Sequence, residues 1–465
     1  MTVTHSAFIG SVSVPNSASL SAPVPGCTLG SGTAGDHLAI RALLADGGRE
    51  TMLGEFQSQL DEPTYEPSDR LVVRLGSTIV SHVHLRNREL RFGVRQVPVT
   101  WFADLMTAPK FRRRGLASSL VAVAERQAQA DGAELALVRT SFPHLFERRG
   151  WIPWGRPSYS LAGTREILAD LVGGPAESPS SLEAVIHGTR PAPLTTRLWR
   201  HVEQAALERI YEFHTQNGYG APVRNTDYWR WLVSRHAFDA IYVAVSGRDR
   251  WSLDAKGIVG YAIVKQDRVI ELLTSPARPD AAESLMSRVC GEFIEQDRCD
   301  LRFEGAPNHP WHRRLVAAGG EYHCPDRESG QVMLARVLDP IDFLTKLRGE
   351  LAVRARSANL PVGAELSIRF GSFAARIAVI DDAETGVNVQ VECAPTVDAT
   401  NDPSTKGGVE CDLSTFTQWM LGHVDVSASR AEARARFPHQ EAFELARTLF
   451  PQLPFWHPTW DDLRV

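Results

Sequence analysis

The spacing of apolar positions along the chain changes three times, and each change marks a different kind of structure. Residues 71–75 and 78–85 are rich in β-branched and apolar side chains and are separated by Gly76-Ser77, which predicts a hairpin. Strand-like residues continue over 91–107. Leu116, Leu120, Val123 and Ala124 then fall on one face of a helix, and Gly132 is placed to stop it. Residues 134–139 are short and nearly all apolar, as in a strand buried on both faces. A short helix over 144–150 ends at Gly150, with an aromatic strand from Trp151.

The same order returns further on. Leu207, Ile210, Tyr211 and His214 line one helix face closed near Asn217-Gly218. Strands are expected at 240–245, 257–264 and 268–273, then a helix from about Asp280, a strand at 300–304 and a helix from about His309. From about 337 the pattern becomes strict alternation, at 365–370 and 386–391, predicting antiparallel strands with one wet face. An amphipathic helix follows Cys411-Asp412-Leu413 and ends at Gly422.

The expected organisation is therefore a flexible, Ser/Gly/Pro-rich tail over 1–35, a first unit over 36–172 and a linker over 173–194. A second unit spans 195–336 and a third 337–465. At 465 residues, about three domains is also what chain length suggests. The fold class is α+β, with mixed α/β sheets flanked by helices. Gly30-Ser31-Gly32-Thr33-Ala34-Gly35 formally matches G-x-G-x-x-G, but no strand is expected before it, and it reads as chance.

One stretch carries candidate chemistry. At Asp104-Leu105-Met106-Thr107-Ala108-Pro109-Lys110-Phe111-Arg112-Arg113-Arg114-Gly115-Leu116-Ala117 a strand ends, a basic turn follows and a helix begins. A helix N-terminus aims unpaired N–H groups and the positive end of its dipole at one point. Three arginines add charge and forked donors, and Gly115, lacking Cβ, lets a phosphate approach the main chain. The plain alternative is an exposed basic turn. The corresponding stretch of the second unit, Leu273-Thr274-Ser275-Pro276-Ala277-Arg278-Pro279-Asp280, has two prolines and no glycine, which removes the donors an anion needs.

Arg112-x-x-Gly115-x-Ala117, with its preceding strand and proline, resembles motif A of the GNAT N-acetyltransferase superfamily. Leu145-Phe146 through Gly150-Trp151 resembles that superfamily's second landmark. The order of units, and a tail containing Leu449-Phe450-Pro451, Pro454-Phe455 and Asp461, is similar to the Eis (enhanced intracellular survival) family. The resemblance implies tandem GNAT folds, the second degenerate, followed by a sterol-carrier-like domain. It further implies acetyl-CoA as acyl donor, an enzyme and a homo-oligomer, a hexamer in that family. It places the cofactor against Arg112, Arg113, Arg114, Gly115, Leu116, Ala117, Ser118 and Thr140, with the main chain of Leu105, Met106 and Thr107 on the thioester and pantetheine. Asp104 takes the place of a carboxylate base, or holds the cationic amine, or is a turn aspartate paired with the arginines; the terminal carboxylate of Val465 takes that of a second base, with Asp461 and Asp462 as alternative acids and a frayed tail as the plain reading. Phe146 departs from the family, because the general acid there is a tyrosine. Tyr159 is a nearby substitute, or a packed strand tyrosine.

On the acceptor side the candidates are His84, Trp101, Phe146 and Asp462. His82 and His84 share one strand face, either lining the acceptor pocket or simply packed. Trp101 or Phe102 should face the cleft. Composition sets the outer limits: 43% hydrophobic and 23% charged residues are those of a globular protein, and a net charge of -5 argues against nucleic acid as main partner. The six cysteines are scattered without a C-x-x-C pair, so a reduced, cytoplasmic protein is the default. No apolar run reaches transmembrane length, no Lys or Arg precedes Arg41 as in a secretory leader, and no membrane partner is expected. His309, His312, His323 and Cys324 fit no standard zinc spacing, and no metal is expected. Three functions remain open: an N-acetyltransferase on a small-molecule or peptide amine, such as a polyamine, lysine side chain or aminoglycoside; a CoA-binding protein without efficient turnover; and, behind these, lipid binding by the last unit.

Overall fold

A computed structural model describes residues 20–21, 24–47, 53–173, 192–247, 255–382, 386–395 and 408–463. Most of the linker expected at 173–194, most of the tail, and Val465 fall outside them.

Alternation builds the first sheet. Cys27–Ser31 (β1), Arg70–Leu75 (β2), Thr78–Phe92 (β3) and Arg95–Thr107 (β4) pair antiparallel in order, and Leu135–Thr140 (β5) joins β4 in parallel. In β4, Val97, Val99 and Trp101 enter one core and Phe102 the other. In β5, Leu135 and Leu137 take the first side, Ala136 and Val138 the second. The sheet is thus covered twice. On the second side Leu116–Ala130 (α3) buries Leu116, Leu120, Val121, Ala124 and Ala128, and the short His144–Glu147 (α4) adds Phe146. Val121 rather than the expected Val123 completes that stripe. His37–Asp46 (α1) and Leu53–Leu60 (α2) cover the outer strands with Ile40, Leu43, Leu44 and Phe56. Residues 27–31 were expected in the tail. They form a strand instead, because Cys27 and Leu29 alternate into the core beneath α3.

The strands of the second sheet are Tyr159–Gly163 (β6), Leu194–Leu198 (β7), Ala240–Ser246 (β8), Ile258–Lys265 (β9), Arg268–Thr274 (β10), Asp300–Glu304 (β11) and the short Glu321–His323. Its two faces carry separate cores, one under Ala281–Glu295, the other under Gln204–Thr215 (α5) and Thr226–Ser234 (α6). Ala206, Leu207, Ile210, Tyr211 and Thr215 are the buried face of α5, while His214 is exposed.

Strand pairing differs from the expectation that residues 36–172 complete one unit. β6 pairs with β11 of the second sheet, and Val332–Val337 (β12) returns to pair antiparallel with β5, Val332 opposite Thr140 and Val337 opposite Leu135. Both strands alternate apolar residues alike, so periodicity cannot assign either one to its sheet. Residues beyond β12 form a five-stranded sheet whose core, from Phe343 through Phe450, is continuous with the Val97–Val99–Trp101 face of β4.

The chain then crosses back over both sheets. Phe455 packs at a tilt against Trp154, ring centroids 4.3 Å apart, and occupies space left by Gly155 and Gly220, where a Cβ would meet its ring at 2.6 and 2.3 Å. A one-turn helix, Thr459–Asp462, follows. Inside it Asp461 is fully buried and accepts from Arg224 (2.6 Å) and Tyr228 (3.0 Å), while Arg224 also forks onto Glu271 at 3.0 and 2.8 Å. Burial opposes ionisation of Asp461, yet Arg224, with His457 and Arg88, holds its carboxyl below its ordinary value.

Removing one partner of this buried pair strands the other's charge. Arg224→Met is expected to cost about 3–5 kcal/mol in chemical denaturation. Because the pKa of Asp461 is depressed on folding, its contribution is present above the unfolded value of about 3.9 and lost as pH falls below it. The same denaturation series repeated down the acid range should show Arg224→Met losing less stability with acid than the unaltered chain.

Candidate active site

The site begins where two strands part. β4 and β5 pair only from Val99↔Leu135 to Trp101↔Leu137, although β4 runs on to Thr107 and β5 to Thr140. Opposite His82–His84 the register of β4 shifts by one residue, and there Asp104 has φ +50°. A bulge bends and over-twists its strand, and aspartate is among the few non-glycine residues that tolerate left-handed backbone. Strand β3 holds the bulge from behind. His82 Nδ1 lies 3.2 Å from the Asp104 carbonyl, and Ser81 Oγ donates to the Met106 carbonyl (2.9 Å) and lies 2.7 Å from Thr107 Oγ1. The other edge of residues 102–107 faces a cavity of about 1020 Å³.

One end of the cavity is basic. Gly115 (φ +83°) caps α3, and Arg113 beside it has φ +60°. Arg112 and Arg113 line the cavity, with Gly115, Leu116, Ala117 and Ser118. Arg112 Nε donates to the Thr107 carbonyl at 3.1 Å, which ties the turn to the end of β4. Arg114 is not among the lining residues; its guanidinium lies over Phe111 at 5.3 Å. Thr140 lines the opposite wall, its Oγ1 accepting from Phe142 N at 2.9 Å. The first-turn amides of α3, two arginines and an unladdered strand edge together fit an acyl-CoA: the charged turn suits its pyrophosphate, the edge its amide-bearing arm.

The other end is mixed. Asp104 lines it and accepts from Gln59 Nε2 at 3.0 Å, with Glu55 and Ser58 of α2 nearby on the wall. Trp101 lines the cavity although it is buried, its ring 4.9 Å from His457. Phe146 also lines it, packed edge-on against Trp151 at 5.0 Å. Asp462 enters from the tail. Burial opposes its ionisation, but His457 at 3.2 Å, then Arg139 and Arg88 at 3.8 Å each, hold it well below the usual carboxylate range. It is a charge held in place rather than a base in waiting.

His84 lies elsewhere. It is buried on the far face of β3 against Tyr65 (5.6 Å) and does not line the cavity; burial and the Arg70 charge keep it neutral. Both histidines of that strand are structural, because period two places them under Tyr65 and Arg70. Tyr159 sits in the second sheet, stacked between Arg302 (3.7 Å) and His323 (5.0 Å), and cannot stand in for the tyrosine missing at Phe146. No tyrosine or cysteine lines the cavity among the described residues.

Sequence reasoning missed Glu55, Gln59, Arg86, Arg139, Trp231 and Arg235. The last two come from α6 and its C-terminal end in the second sheet, reaching across to the first. Trp231 Nε1 donates to the Ser58 carbonyl at 2.7 Å, fastening α6 to α2. Only a fold-level view brings these residues together.

Residues 35–153 match the model of the acetyltransferase (GNAT) domain. No curated protein matches the chain. Among solved structures it is similar to a GCN5-related N-acetyltransferase from Anabaena variabilis, 12% identical with TM-score 0.65, covering 93% of this chain and 99% of that one. A GCN5-related N-acetyltransferase from Kribbella flavida is 15% identical with TM-score 0.65 over 93% and 97%. Eis1 from Mycobacterium abscessus is 14% identical with TM-score 0.59 over 92% and 98%. At these identities the likeness is one of fold, and it runs over nearly the whole chain. Residues 35–153 carry a GNAT acetyltransferase domain, a fold that supports acetyl transfer.

A β-branched residue at Gly115 strains the left-handed backbone that shapes the turn ahead of α3. Gly115→Val is expected to weaken CoA binding by about tenfold, because the free turn relaxes out of this conformation and binding must restore about 1–2 kcal/mol of strain. Calorimetric titration with CoA checks this. Unchanged affinity would place the anion elsewhere.

Proposed function

We propose that the protein is an acetyl-CoA-dependent N-acetyltransferase that acetylates a primary amine by direct attack in a ternary complex. The observation that carries this reading is the cavity itself, basic at the α3 turn, open along an unladdered strand edge and acidic at Asp104. Acetyl-CoA supplies an already activated thioester, so positioning accounts for much of the rate. The arginine turn and α3 anchor the phosphates. Because N–H groups alternate along a strand, those of Leu105 and Thr107 face away from β3 and would donate to the thioester oxygen as charge gathers there. Asp104 and Glu55 attract the ammonium form of the acceptor, and Asp104, oriented by Gln59, receives its proton directly or through water.

Phe146 cannot protonate the leaving thiolate. An alkyl thiol has a pKa near 8.5, so near neutral pH the thiolate can leave as the anion and take its proton from solvent. The second reading, a CoA-binding protein without efficient turnover, rests on this same phenylalanine. By resemblance the tandem units and a sterol-carrier-like third unit wall a wide acceptor space, in a homo-oligomer without metal; the scattered cysteines favour a cytoplasmic protein.

Thiol release from acetyl-CoA with an amine panel tests the proposal. Asp104→Asn keeps the backbone conformation but removes the charge, and should lower kcat/KM by about 10²-fold with CoA affinity unchanged. Phe146→Tyr is expected to change kcat by less than about tenfold. A rise of several hundredfold would instead show that the missing acid limits turnover.

A further inference from the structure

The acceptor end of the cavity is not simply acidic, as an amine alone would call for, because arginines share it with Glu55, Asp104 and Asp462. Arg86, Arg139 and Arg235 line it, and Arg88 stands behind them. Glu62 is divided between Arg86 and Arg88 at 2.9 Å each. Asp462 is divided among His457, Arg88 and Arg139. Asp461 turns away to Arg224 and Tyr228. Glu62 and Asp462 therefore serve three of the four guanidiniums, Arg86, Arg88 and Arg139.

Arg235 is the one left with neutral partners only. It is 8% exposed, its terminal nitrogens donate to the carbonyls of Leu463 (3.1 Å) and Trp460 (2.6 Å), and its Nε is buried without a partner. Its plane rests 4.3 Å from the Trp231 ring. Among the described residues it makes no ion pair. A buried cation without a counter-charge is costly, and burial, with Arg86 and Arg88 nearby, pulls its pKa down to about 10. Such a group is poised to gain from an incoming anion.

We propose that the acceptor is zwitterionic: its amine meets Asp104 and Glu55, and an anionic group on the same molecule, a carboxylate, phosphate or sulfonate, is received by Arg235 with Arg139 and Arg86. This rests on the N-acetyltransferase reading and narrows its substrate class from amines in general to amino-acid-like amines. The acidic and basic ends of the acceptor space match such a molecule; a polycation would meet repulsion at the arginine end.

Matched acceptors test it: lysine against cadaverine, ornithine against putrescine, tyrosine against tyramine, with taurine and phosphoethanolamine against ethanolamine to tell the anionic groups apart. Thiol release should favour the anion-bearing member of at least one pair by about 30-fold or more in kcat/KM. Arg235→Gln should erase that preference while CoA affinity stays the same. Because Arg235 also holds the tail, a second measurement uses the unaltered chain: hexanoate should compete with the acceptor but not with CoA. Equal or better turnover of the decarboxylated members overturns the inference and leaves the acetyltransferase reading standing. No thiol release from any amine sinks both. A variant lacking Arg464 and Val465 that gains a preference the full chain lacks would show the tail's own carboxylate on Arg235, which also overturns it.

Discussion

Everything at the site depends on β4 leaving β5 after Trp101. Were the parallel ladder to continue, the amides of 102–107 would be spent within the sheet and no cavity would exist. What prevents it is one extra residue, Asp104, in left-handed backbone and braced from β3 by Ser81 and His82. The same residue that opens the sheet thus presents its carboxylate to the space it opens. Backbone strain and site chemistry share one position, as strained positions often do.

The wall facing the gap is built from distant sequence. The strand exchange of β6 and β12 ties the two sheets together, and α6 and the tail then reach the cavity from the far side. The tail is held by Phe455 in its glycine-lined slot, by Asp461 on Arg224 and by Arg235 on two carbonyls. Asp462 is carried into the cavity as a by-product of that anchoring, already neutralised. Charge on the acceptor side is therefore set by the second sheet as much as by the domain that holds the turn.

Much of this was legible from spacing. The hairpin, α3 and its stop at Gly132, β5, and the repeated order in the second half all follow from periods of 2 and 3.6, and the turn at 112–117 was visible because glycine and arginine chemistry is local. What stayed hidden was non-local. Cys27 and Leu29 alternate within a glycine- and serine-rich stretch and gain meaning only once they face the core under α3. Val121 displaces Val123 through the exact orientation of the helix. His84 looked like a pocket residue because its face was known but not what covered it. Arg235 and Trp231 carry no motif at all; they count because a sheet encoded a hundred residues later leans over the first.

Amide hydrogen exchange with and without CoA tests the central claim most directly, since it reads the strand edge itself. The account predicts new protection at residues 102–107 and in the first turn of α3, with β10 and β11 of the second sheet unaffected. Protection confined to the second sheet, or none at 102–107 at saturating CoA, would contradict it.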